Sequence, residues 1–214
     1  MRSLLLGAVA ALVIGTSAQA APDFADRQDF EFASRGFVAT REDPQIRAAD
    51  GRVVWDLSAW DFLDAPAPKS VNPSLWRQAQ LLAKDGLFKV ADGVWQVRGF
   101  DLANVTFIAG KTGWIVIDPL TSTETARAAL DLANAKLGAR PVVALIYTHS
   151  HIDHFGGAKG VVAQADVDAG KVAVIAPKGF LEHAVSENVI AGPAMSRRAV
   201  YQFAIGLPAG PDGP

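Results

Sequence analysis

Within six positions, His149-Ser150-His151-Ile152-Asp153-His154, the chain places three of its four histidines and a carboxylate. Imidazole nitrogen and carboxylate oxygen are good ligands for zinc, and donors this close can serve one ion or a pair. His149 and His151 alternate, so on an extended segment they point to one side. Asp153 and His154 follow as the chain turns and can serve a second position. An ion held there would lower the pKa of its bound water towards ~7 and deliver hydroxide to an electrophile. Gly156-Gly157 lets the backbone turn sharply without Cβ clashes. A lone histidine would be read as a solvated loop residue. Three with an aspartate, directly after the apolar stretch 142–147, point to metal.

That stretch, Val142-Val143-Ala144-Leu145-Ile146-Tyr147, reads as a buried strand after Pro141. The elements that must hold it in place run up to it from about residue 70. Ser74 caps a helix carrying Leu75, Ala79, Leu82 and Ala83 at helical spacing, and Gly86 stops it. Strands 87–90 and 94–98 form a hairpin around Asp92-Gly93, a strong turn signal. Strands 104–109 and 114–118 form a second hairpin around Lys111-Thr112-Gly113, ended by Pro119. Thr121 or Ser122 caps a helix to about Leu137, with Ala126, Ala129, Leu130 and Ala133 on its apolar side. A short helix over 156–164, a strand over 172–176 and a helix over 179–187 complete a meander followed by β-α-β-α. The fold class is therefore α/β, a mixed sheet with flanking helices. Trp55, Trp95 and Trp114 fall on strands and are expected in the core.

Residues 1–20 read as a secretory signal peptide: Arg2, the apolar run Leu4 to Ile14, then Ala18-Gln19-Ala20. The run is too short to span a bilayer, which takes ~20 residues, so cleavage and a periplasmic or secreted protein are expected, without a stable membrane anchor. Residues 21–70 form a polar arm in which only 52–57 looks strand-like. Without residues 1–20 the chain carries 19 basic and 22 acidic side chains, net −3, and no basic stretch, so nucleic acid is an unsuited partner. With no cysteine there is neither disulfide nor thiolate ligand. The breaker-rich run 207–214 reads as a ragged end.

His149-x-His151-x-Asp153-His154 resembles the signature of the metallo-β-lactamase superfamily, which implies an αββα sandwich with a mono- or dinuclear zinc site. Residue 151 is a carboxylate in the oxygen-reducing di-iron members, so His151 favours a hydrolase, and His154 favours a dinuclear one. Four further blocks, 71–78, 94–104, 113–120 and 182–199, are similar to exported bacterial alkyl sulfatases. The resemblance implies one zinc on His149 and His151 and a second on Asp153 and His154. Two acidic residues and a histidine far downstream complete that set, and no histidine follows His183 here. Residues 71–214 are thus expected to be the N-terminal portion of the domain. Full-length, such a protein would be a homodimeric zinc hydrolase of alkyl sulfate esters such as dodecyl sulfate, attacking at sulfur or at carbon. The rival readings are a lactone, thioester or phosphoester hydrolase on the same fold, or a truncated and non-catalytic fragment. His183 and Glu187, four apart on one helix, are expected to be a packed or hydrogen-bonded histidine and an exposed or paired glutamate. Arg197 and Arg198 are expected on the surface.

Overall fold

The computed structural model describes residues 23–204 together with Gly206. The export signal expected at 1–20 and the run 207–214 lie outside the described residues. In chain order the elements begin with α1 (Gln28–Ser34), β1 (Phe37–Ala39), β2 (Gln45–Arg47), β3 (Val53–Asp56) and a 3-10 segment, Leu57–Asp64. Next come α2 (Pro73–Leu82), β4 (Gly86–Ala91), β5 (Val94–Arg98), β6 (Val105–Ala109) and β7 (Trp114–Ile117). The second half holds α3 (Thr123–Leu137), β8 (Val142–Ile146), α4 (Ala158–Val161), α5 (Gln164–Asp168), β9 (Ala173–Ile175), α6 (Phe180–Val185) and α7 (Gly192–Gln202).

Seven strands form one sheet in the order β1-β4-β5-β6-β7-β8-β9. It is antiparallel from β1 through β7, and β7, β8 and β9 are parallel. Both expected hairpins form. Gly93 supplies the positive φ (+75°) that the tight β4–β5 turn demands. Parallel neighbours need a long crossover, and α3 provides it between β7 and β8. No helix among the described residues is long and apolar enough to cross a membrane.

The stretch read as a polar arm is more structured than its composition suggested. It contributes α1, the β2–β3 pair and β1, whose Phe37 lies opposite Phe88 of β4 at one edge of the main sheet. β3 is the strand expected over 52–57, whereas β1, three residues with a distant partner, leaves no periodicity to read. Two boundaries also move. Asn72 caps α2 instead of Ser74: its side chain accepts from the Ser74 N–H at 2.9 Å, and Pro73 takes the first helical position. The helix ends at Leu82, and Gly86 opens β4 with φ +123°. The helix expected over 156–164 is instead two short ones, α4 and α5.

α3 covers one face of the sheet. Ser122 caps it, accepting from the Thr125 N–H at 3.1 Å. Its buried Ala126, Ala129, Leu130 and Ala133 let the helix approach Val105, Phe107, Trp114, Val116 and Leu145 closely. Trp114 is fully buried, and its indole N–H donates to Asn134 Oδ1 at 2.8 Å. Trp95 stacks edge-on against it at 5.8 Å, and Trp55 donates to the Gly99 carbonyl at 2.8 Å. All three tryptophans serve packing, as expected. Residues of the opposite face, among them Thr106, Ile108, Ile115 and Ile117, are only half-buried.

Candidate metal centre

Because β7 and β8 are parallel, their C-terminal ends open onto the same edge of the sheet, where open α/β sheets place ligands. Asp118 leaves β7 there, and Thr148 to His154 leave β8. Asp118 is buried and acts as the hub. Its Oδ1 accepts from the Thr148 N–H at 2.8 Å, and its Oδ2 from the Thr148 hydroxyl at 2.7 Å. The same Oδ2 lies 2.9 Å from His154 Nδ1. The backbone around the hub is unusual: Asp118 and Leu120 both have positive φ, +53° and +61°. An aspartate tolerates that region, whereas a leucine does not. Burial of Leu120 and the bond from the Gly157 N–H to its carbonyl, 2.9 Å, hold it there.

The hydrogen bonds assign the imidazole tautomers. The Thr148 hydroxyl gives its one proton to Asp118, so it accepts from His149 Nδ1, 3.0 Å away. That leaves His149 Nε2 open. His154 Nδ1 donates to Asp118, and its Nε2 faces Asp153 Oδ2 at 3.3 Å. His151 is engaged from the other side, its Nε2 lying 2.7 Å from Glu187 Oε1, and its Nδ1 is open. The ring of His149 sits 4.6 Å from that of His151 and 4.1 Å from that of His154, centre to centre. His149 and His151 each have one nitrogen committed to a protein acceptor, and His154 has Nδ1 on Asp118 and Nε2 beside Asp153; outer acceptors of this kind orient metal-ligating imidazoles.

Gly156 and Gly157 are required for close approach, not for an unusual φ. A Cβ on Gly156 would stand 2.3 Å from the Thr121 carbonyl oxygen, and one on Gly157 2.1 Å from that of Pro119. The loop therefore lies flat on the Asp118–Ser122 turn. Behind it, Tyr147 stacks on Phe180 at 5.3 Å, and Phe155 meets both rings. Burial among them pushes the Tyr147 phenol above its ordinary pKa.

The four expected ligands thus gather, and by donor chemistry they fit zinc. Among the described residues no group of three or more His, Cys, Asp or Glu side chains converges on a single metal position. His149, His151, Asp153 and His154 stand as donor pairs, not as a closed cage. His183 is exposed on α6, and Arg197 and Arg198 are exposed on α7. Asp118 escaped the sequence reading, and Glu187, expected to be exposed or paired, is paired, with His151 as its partner. Asp118 carried one usable signal, a carboxylate ending the strand before β8. Nothing in the sequence hinted at the partner of Glu187, since its reach depends on how the chain after β9 folds back.

Residues 98–211 match the family model of the metallo-beta-lactamase superfamily. An (R)-specific secondary-alkylsulfatase of a Pseudomonas species is 56% identical over 188 residues, covering 87% of this chain and 28% of the relative. A linear primary-alkylsulfatase, also from Pseudomonas, is 53% identical over 187 residues, 86% of this chain and 28% of the relative. The solved structure of a stereoselective inverting sec-alkylsulfatase from Pseudomonas superposes with a TM-score of 0.81 at 56% identity, over 88% of this chain and 30% of that one. The chain therefore spans less than a third of the length of these relatives.

Proposed function

The chain belongs to the metallo-β-lactamase superfamily, and from that membership we propose that it forms the metal-binding part of a zinc-dependent hydrolase of alkyl sulfate esters. The observation that carries the reading is the set of three histidines, each held through one ring nitrogen, beside Asp153 at the open edge of β7 and β8. The alkylsulfatase relatives support the substrate class.

In this reading His149 and His151 hold one zinc, and Asp153 and His154 a second. Two protein donors per ion leave positions for water, substrate and further ligands. Bound zinc supplies Lewis acidity for a sulfate oxygen and activates water near neutral pH. The chain's own part is orientation. Asp118 aims His154 directly and His149 through Thr148, while the glycine contacts keep the loop from drifting. His151 and Asp153 face solvent enough for an ester to approach. The export signal expected at 1–20 supports a periplasmic or secreted destination, which N-terminal sequencing of the exported product, expected to start at Ala21, would check.

Two measurements test the reading. The 214-residue chain should take up zinc, and a His149→Ala/Asp153→Ala double variant should not. A full-length protein containing this chain, loaded with zinc and assayed against dodecyl sulfate and a lactone panel, should release sulfate. Lactone hydrolysis without sulfate release would replace the substrate class and leave the metal centre standing.

A further inference from the structure

Glu187 reaches the histidine loop from a separate part of the chain. After α6 the backbone widens into a π-turn over Ser186–Ile190 before α7 begins, with the Ala191 N–H bonded to the Ser186 carbonyl at 2.9 Å. Such turns often sit at functional sites. In this one, Glu187 and Asn188 are half-buried against the loop, while Val189 and Ile190 face outward. Asn188 Nδ2 donates to the Ser150 carbonyl at 3.1 Å and to the Ala184 carbonyl at 2.9 Å, fastening helix to loop. The Ser150 hydroxyl donates to Glu187 Oε2 at 2.9 Å. With that oxygen held, Oε1 is presented to His151 Nε2 at 2.7 Å.

We propose that Glu187 is a positioning residue for the metal centre: by accepting from His151 Nε2 it fixes this imidazole with Nδ1 open. This rests on the metal reading above. The geometry explains why a dedicated acceptor is needed. His149 and His154 are locked through Nδ1 by the Asp118 hub and present Nε2. His151 is the most exposed of the four, its side chain 57% accessible, and must present the opposite nitrogen. Without a partner on Nε2, a solvated imidazole is free to exchange tautomers and to rotate. Outer acceptors of ligating histidines typically change metal affinity ~10–100-fold, and Glu187 is placed to be this one.

The test uses the 214-residue chain. Nitrogen NMR of labelled histidine in the metal-free protein, at mildly alkaline pH, should show His151 with its proton on Nε2. In Glu187→Ala that signature should shift towards a mixture of tautomers. Zinc binding, read by competition with a chromogenic chelator, should weaken ~10–100-fold at unchanged stoichiometry. Glu187→Gln, which keeps the side chain's shape and one acceptor oxygen, should fall between, and circular dichroism should show all variants folded. An unchanged His151 tautomer and unchanged zinc affinity in folded Glu187→Ala and Glu187→Gln would overturn the proposal. Loss of a whole zinc equivalent would overturn it too, by making Glu187 a ligand. Failure of the unsubstituted chain to take up zinc would overturn the metal reading instead. The tautomer spectra, which need no metal, decide on the Glu187 contact separately.

Discussion

The two flanks of the histidine loop are built to different standards. On one side, β6, β7 and α3 close over Phe107, Trp114, Val116 and Ala129, none of which is exposed at all. On the other, β9, α6, the π-turn and α7 leave Val174, Ile175, Leu181, Ile190 (75% exposed) and Tyr201 (88%) facing outward. The site draws on both. His149 and His154 are anchored to Asp118 on the packed flank, His151 to Glu187 on the open one. Local opening costs least where few apolar contacts must break, so the two anchors fail under different circumstances. One holds for as long as the protein is folded. The other holds only while the π-turn stays against the loop.

The sharpest way to break this contrast is to damage the packed flank. Trp114→Ala leaves a large void and takes away one of the two donors to Asn134 Oδ1, and should cost about 3–5 kcal/mol in urea unfolding. Asp118→Ala comes next. It should weaken zinc binding ~10–100-fold and also remove about 1.5–3 kcal/mol of stability, because three part-buried donors lose their acceptor. Glu187→Ala should match it in zinc affinity and leave the melting temperature nearly unchanged; equal thermal losses would erase the distinction between flanks. Hydrogen exchange sharpens it without mutation: amides of β6 and β7 should exchange near the global limit, those of α7 much sooner. A smaller effect concerns Tyr147. Burial raises its pKa in the folded state, so the fold favours the neutral phenol. Its stabilising contribution is complete below the unfolded value, about 10, and is lost as pH rises through the folded one. Tyr147→Phe should flatten that alkaline decline and remove the late component of an ultraviolet titration. Smallest of all, Leu181→Gln or Ile190→Gln should move stability by no more than about 0.5 kcal/mol.

The contrast also explains what could be read from sequence. Strands β4 to β8 and α3 were legible because each is long enough to show its period and bounded by Asp92-Gly93, Pro119, Gly138 or Pro141. The candidate ligand cluster was legible because its members are neighbours in the chain. What holds it was not. Asp118 acts through the parallel pairing of β7 with β8, which no local pattern encodes. Glu187 and His183, four apart, share a face in a regular helix, and only the π-turn, invisible to periodicity, shows that Glu187 alone meets the loop. β1 was missed for the same reason: three residues pair with β4 across a long stretch of chain.

Both outermost strands of the sheet, β1 and β9, are only three residues long, while the strands between them run to four to six. A strand edge is a template for another chain, and its hold grows with every additional ladder bond. Here each template is cut short. β1 is interrupted by a register shift between Phe37 and Ala39, and β9 is flanked by Lys171 and by Pro177-Lys178. A sheet that ends in such stubs gives a second copy little to zip onto. Lateral growth of the sheet into fibrils is thereby blunted at both of its edges.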